Sequence, residues 1–174
     1  MKELITSGFP RSGSTYLNQA LQLLYYPLES ANLNRHSVVS IEKSVKIMVP
    51  FRNPLDAIVS WHKYPSDGIL EEDIAYYIRF YSYVLENLPK VVLMDFDLFT
   101  QEIDYIKSKV RDNFGISTEE TVTDSQIKET MINNHKDLNL PRNNKDELDE
   151  VKLLLKRMPN FEHCLNLYVR LKEL

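Results

Sequence analysis

The sequence predicts an α/β fold, a parallel β-sheet flanked by helices in three layers and a single domain over residues 1–174. Three observations predict it. Short apolar runs of strand character alternate with amphipathic stretches of helical period. Two of those runs end in a turn that leads straight into a helix. The 174 residues, 43% hydrophobic and 26% charged, suffice for one core of this kind. Strands separated by helices pair in parallel, and a parallel sheet is covered on both faces.

The elements follow in order. "ELITSG" reads as a short buried strand. From Ser14 a helix begins, with Leu17, Ala20, Leu21 and Leu24 at helical spacing, and Pro27 ends it because its ring cannot continue the ladder. Residues 28–44 give no clear period; "SVVSIE" fits a strand or an irregular turn. "VKIMVPF" is a strongly apolar strand. Asn53 and Pro54 then start a helix, Asn as cap and Pro in the first helical position, with Asp56 in the positive first turn. Glu71 to Leu88 carries the clearest amphipathic pattern, with Ile74, Tyr77, Ile78, Tyr81, Leu85 and Leu88 on one face. "KVVLMDF" is another buried strand, followed by a helix bearing Ile103, Ile106 and Val110 that stops near Gly115. Helical pieces follow around Ile127 and Met131, after Asn144 with Glu147 at capping-box spacing, and after Pro159.

Bulk properties narrow the function classes. A formal net charge of −4 argues against a general nucleic-acid binder, and no basic stripe with interleaved aromatics is present. Cys164 is the single cysteine, so no internal disulfide forms, which fits a reducing compartment. "MKELITSGFP" is too short an apolar run for a signal peptide or a membrane span, which points to a cytoplasmic protein without a membrane partner. His36, His62, His135 and His163 show no paired-ligand spacing and Cys164 has no cysteine partner, so no metal site is expected.

Two stretches carry chemistry. In "SGFPRSGST" Gly8, Gly13, Ser14 and Thr15 follow the phosphate-loop pattern G-x-x-x-x-G-K-[ST], except that Ser14 stands where the lysine belongs. Strand, glycine turn and helix start together make an anion trap. Unpaired backbone N–H groups converge there and the helix dipole adds positive charge. Arg11 can fork onto a phosphate or sulfate oxygen pair. "FRNPLDAIVS" repeats the architecture, with Arg52 at a strand end and Ser60 eight residues on, about two helical turns along.

In order and spacing, "PRSGSTYL" followed by "IMVPFRNPLDAIVS" resembles the two cofactor loops of sulfotransferases that use 3′-phosphoadenylyl sulfate (PAPS). The match lies within residues 10–60. The resemblance implies a P-loop NTPase-like sulfotransferase fold. It also implies transfer of a sulfuryl group from PAPS to a hydroxyl or amine of a small-molecule or glycan acceptor, releasing adenosine 3′,5′-bisphosphate. Arg11, Ser12, Gly13, Ser14 and Thr15 would then hold the 5′-phosphosulfate, Arg52 and Ser60 the 3′-phosphate, and Tyr16 would pack on adenine. The missing lysine follows, since such a cofactor has no γ-phosphate to reach. Many relatives carry a K-T-H histidine as base between the two loops. His36 in "NLNRHS" falls in that interval, with Asn34 and Arg35 in place of Lys and Thr; Glu29 and Glu42 are the carboxylate alternatives. Arg35 is the candidate second cation, and Arg142 in "LPRNNKD" the candidate closing residue over the 3′-phosphate. "MDFDLF" loosely echoes the family's Y-E-D-L turn.

Two other readings stand beside this one. "VVLMD" ends in Asp95, the shape of a magnesium site in a nucleoside-triphosphate kinase, although such a kinase would lack its loop lysine. A non-catalytic nucleotide-binding interaction module is the other.

Overall fold

The structure is a computed structural model that describes residues 4–26, 30–32, 46–63, 68–134 and 145–174. Among these, four strands form one parallel sheet in the order β2-β1-β3-β4. They are β1 (Leu4–Thr6), β2 (Ser30–Asn32), β3 (Ile47–Phe51) and β4 (Val91–Asp95). Thr6 pairs with Met48, and Ile47 to Phe51 pair in register with Val91 to Asp95. The helices are α1 (Ser14–Leu24), α2 (Pro54–His62), α3 (Leu70–Glu86), α4 (Phe96–Phe99), α5 (Ile103–Phe114), α6 (Asp124–Asn134), α7 (Lys145–Leu155) and α8 (Phe161–Lys172).

Alternation along the strands builds two cores. Leu4, Met48, Val92 and Met94 face Leu17, Ala20, Leu21 and Leu24 of α1, with Ile106 and Val110 of α5 and Ile127 of α6. Ile47, Val49, Phe51 and Val91 face the opposite way. They pack with Ala57, Ile58 and Val59 of α2, the aromatic face of α3, and Val151, Cys164 and Leu167 from α7 and α8. The sheet is thus flanked by helices on both faces, as its continuous apolar strands demand.

Local signals explain several boundaries. Asn53 caps α2 by accepting the Leu55 N–H at 2.9 Å, with Pro54 at the first position. Gly115 ends α5 in the left-handed region at φ 65°, where the Cβ of any other residue is costly. The face expected on α3 is the one buried, through Ile74, Tyr77 and Tyr81. β2 and α4 are additions. The strand Ser-Ala-Asn has no alternation to read and exists through its pairing with Leu4 to Thr6. The four residues of α4 are too few for a period. No helix among the described residues is long and apolar enough to cross a membrane.

The sheet order creates a switch point. β1 lies between β2 and β3, its loop feeds α1 on one face, and the loop after β3 feeds α2 on the other. Neighbouring strands whose connections diverge leave a gap at their carboxyl ends, where ligands bind in open α/β sheets.

Cys164 reports on the second core. It is fully buried, and that burial pushes its thiol up to about 12. The native protein should therefore resist iodoacetamide at pH 8 and react once unfolded in urea. Rapid alkylation of the native state, followed by mass spectrometry, would show that α8 does not rest on the sheet as described.

Candidate anion-binding site

The first loop continues β1 by one residue, as the Ser7 N–H donates to the Met48 carbonyl at 3.1 Å. Gly8 then crosses β3 closely. A Cβ there would stand 2.8 Å from Pro50 Cγ, so only glycine fits. Phe9 drops into the aromatic face of α3, its ring 5.3 Å from Tyr76 and 5.1 Å from Tyr77. Arg11 turns the chain at φ 63° and Gly13 at φ 95°, both left-handed. The Leu17 N–H to the Gly13 carbonyl, at 3.0 Å, is the first bond of α1. The N–H groups of Ser14, Thr15 and Tyr16 come ahead of that ladder, and no side chain caps the helix. Ser14 Oγ is buried with no hydrogen-bond partner. A helix start with its donors and a buried hydroxyl left over is suited to an anion.

The second loop is fixed from α3. Tyr77 donates its hydroxyl to the Arg52 carbonyl and Tyr81 to the Pro50 carbonyl, each at 3.1 Å. Burial pushes both phenols well above their usual range, so they stay protonated and donate. This holds the tip of β3 still while α2 leads away.

The two loops meet. Arg52 Nη1 donates to the Arg11 carbonyl at 3.3 Å, and Arg11 Nε donates to Ser60 Oγ at 3.0 Å. The Arg52 guanidinium also lies over the Phe96 ring, Cζ 4.4 Å from its centroid. Burial lowers the Arg52 pKa, opposed by the more distant carboxylates of Asp56 and Asp97. Among the described residues no carboxylate forms an ion pair with Arg52. A half-buried cation held by a carbonyl and a ring retains an unmet demand for an anion.

The other sequence candidates divide. Ser12 is turned inward: it is fully buried, and both its N–H and its hydroxyl bond to the Phe9 carbonyl. It closes the loop and leaves the anion to its neighbours. Tyr16 is 6% exposed, its ring centroid 5.9 Å from Phe99 and its hydroxyl donating to Asp124 at 2.8 Å. As arranged it is a core contact tying α1 to α6, with little ring surface open to a base. His36, Arg35 and Arg142, with Glu29 and Glu42, lie outside the described residues. Asp95 caps α4 by accepting the Asp97 N–H at 3.0 Å and also pairs with Lys172. No group of three or more His, Cys, Asp or Glu is placed to hold a metal among the described residues.

Phe9 and Phe96 are site-forming residues that sequence reasoning passed over. Phe9 anchors the first loop, and its only signal is an aromatic inside a glycine-rich turn. Phe96 touches both loops, since a Cβ on Gly13 would come 2.7 Å from its Cδ2. The echo of an aromatic-acidic turn in "MDFDLF" was the available hint.

Compared with known proteins, the chain matches no family model, no curated protein and no solved structure.

Gly13→Ala tests the wedge. The new methyl would sit at φ 95° and within 2.7 Å of Phe96, so the variant should lose about 1–3 kcal/mol in urea denaturation. Unchanged stability would mean that Phe96 does not press on the loop.

Proposed function

We propose that the chain is a PAPS-dependent sulfotransferase with the P-loop-like fold of that family. One observation carries the reading: the Arg52 side chain bonds to the Arg11 carbonyl and the Arg11 side chain to Ser60, so the glycine loop, the tip of β3 and the serine of α2 form one linked cluster. Two cations and an uncapped helix start at neighbouring strand tips suit a nucleotide with anions at both ends of its ribose. The start of α1, with Gly13, Ser14 and Thr15, takes the 5′-phosphosulfate together with Arg11. Arg52 and Ser60 take the 3′-phosphate.

The chemistry is in-line displacement. A lone pair of the acceptor oxygen or nitrogen forms a bond to sulfur. The bond from sulfur to the bridging oxygen breaks, and its electron pair leaves with the 5′-phosphate of adenosine 3′,5′-bisphosphate. Arg11 stabilises that developing charge, as a positioned cation does best in a site shielded from water. The acceptor's proton goes to His36, whose ordinary pKa lies near neutrality, with Arg35 as a second cation on the sulfuryl oxygens. Arg142 is the sequence's candidate for a further cation on the 3′-phosphate. Acceptors are small molecules or glycans bearing a hydroxyl or amine.

The kinase alternative requires Asp95 for magnesium. That carboxylate already caps α4 and pairs with the Lys172 ammonium, which supports the sulfotransferase reading over the kinase.

Thermal unfolding tests the reading directly. Adenosine 3′,5′-bisphosphate at saturating concentration should raise Tm by about 5–10 °C, and ATP with magnesium should not. Stabilisation by ATP with magnesium alone would establish the kinase instead. Arg52→Ala should weaken the bisphosphate about tenfold while changing adenosine 5′-phosphate about twofold or less. Equal losses for the two nucleotides would remove Arg52 from the 3′-phosphate.

His36→Ala should lower turnover about 100-fold or more with bisphosphate affinity retained. Full turnover by that variant would take His36 out of the mechanism.

A further inference from the structure

Two carboxylates near the second loop each meet a lysine from the C-terminal helices. Asp56 lies in the first turn of α2, four residues after Arg52. Its Oδ1 pairs with Lys152 Nζ of α7 at 3.2 Å. Asp97 follows Phe96, the residue whose ring carries the Arg52 guanidinium. Its Oδ2 stands 3.5 Å from Lys172 Nζ of α8 and accepts the Tyr168 hydroxyl at 3.4 Å. Lys172 also binds the buried carboxylate of Asp95 at the end of β4. The helix pair that covers one face of the sheet thus sends an ammonium to each acidic neighbour of the second loop.

This placement answers a problem the site poses. An arginine within reach of a carboxylate gains most from a direct bidentate ion pair, which satisfies both partners. Here the guanidinium instead keeps to the Arg11 carbonyl and the Phe96 ring. The carboxylates act on it only from a distance, raising its pKa against the effect of burial.

Resting on the sulfotransferase reading, we infer that Lys152 and Lys172 are positioning residues: by occupying Asp56 and Asp97 they keep Arg52 available to the 3′-phosphate. Without them the two carboxylates compete with the nucleotide for the same cation. The lysines need not touch the ligand. Their contribution is to the second clamp alone, so it falls on a nucleotide that carries a 3′-phosphate and spares one that lacks it.

The test is calorimetric titration of the full chain with adenosine 3′,5′-bisphosphate and with adenosine 5′-phosphate at one fixed salt concentration. Lys152→Met with Lys172→Met should weaken the bisphosphate about tenfold and the monophosphate about twofold or less. Adding Asp56→Asn and Asp97→Asn to that background removes the competing charges and should restore the bisphosphate to within about twofold of wild type. Lys152→Arg with Lys172→Arg should bind as wild type does. A loss that persists after both carboxylates are neutralised would show a merely structural role and overturn the inference, as would unchanged affinity in the double methionine variant. If the wild type itself does not distinguish the two nucleotides, the assignment of a 3′-phosphate clamp fails first, and this inference with it.

Discussion

The guanidinium of Arg52 is partly withdrawn from water at the tip of a central strand, and that single placement constrains its surroundings. Burying a cation is costly unless something replaces its hydration. A direct carboxylate would do so most fully, but it would also use up the site. The chain compensates with weaker partners. A backbone carbonyl from the first loop accepts one N–H, the face of Phe96 supplies its quadrupole, and two carboxylates act from further away. The resulting cation is held in place and still under-compensated, which is the electrostatic condition for binding a phosphate or sulfate.

Such a cation has to be aimed, and the sheet does the aiming. Because β1 lies between β2 and β3, the loops after β1 and β3 leave toward opposite faces, and it is at their shared strand tips that Arg11, Arg52 and Ser60 meet. Tyr77 and Tyr81, rooted in the α3 core, fix the carbonyls of Arg52 and Pro50 and so set the height of the β3 tip. Phe9 roots the first loop in the same aromatic cluster. Both halves of the site therefore hang from one helix. A packing defect in α3 would move the two loops together, whereas a change at Phe96 would alter the gap between them. Fold alone does not assign an activity; the reading offered here comes from which charged and donor groups the two loops bring together.

Much of the fold is legible in the sequence. The long period of α3, the apolar runs of β3 and β4, the Asn53-Pro54 start and the Gly115 stop are local signals, and the structure follows them. The glycine, arginine and hydroxyl residues of the two loops single them out in the sequence, and the structure brings Arg11, Arg52 and Ser60 into one hydrogen-bonded cluster. What the sequence hid is non-local or too short. β2 depends on pairing with β1, and α4 is a single turn begun by its own Asp95 cap. The Arg11 to Ser60 bond joins positions 49 apart, and no window of residues encodes it. Ser12 belongs to the expected loop motif, yet its hydroxyl is consumed in closing that loop, a detail composition cannot show.

Arg11 shows why the loop needs both its strain and its neighbours. It adopts a left-handed φ of 63°, a region that glycine enters freely and other residues enter at a cost of about 1–2 kcal/mol. Gly8 and Gly13 already relieve the loop where the Pro50 ring and Phe96 approach too closely, so a third glycine would have been the relaxed choice. Glycine has no guanidinium, however. The strained turn lets one residue contribute from both ends. Its carbonyl accepts from Arg52, and its side chain reaches Ser60 on α2. Those two bonds tie the turn to the second loop, and they help hold a conformation that an isolated peptide would abandon. The strain and the convergence of the loops are therefore one feature, since releasing either contact would let the turn relax and carry the Arg11 guanidinium away from Ser60.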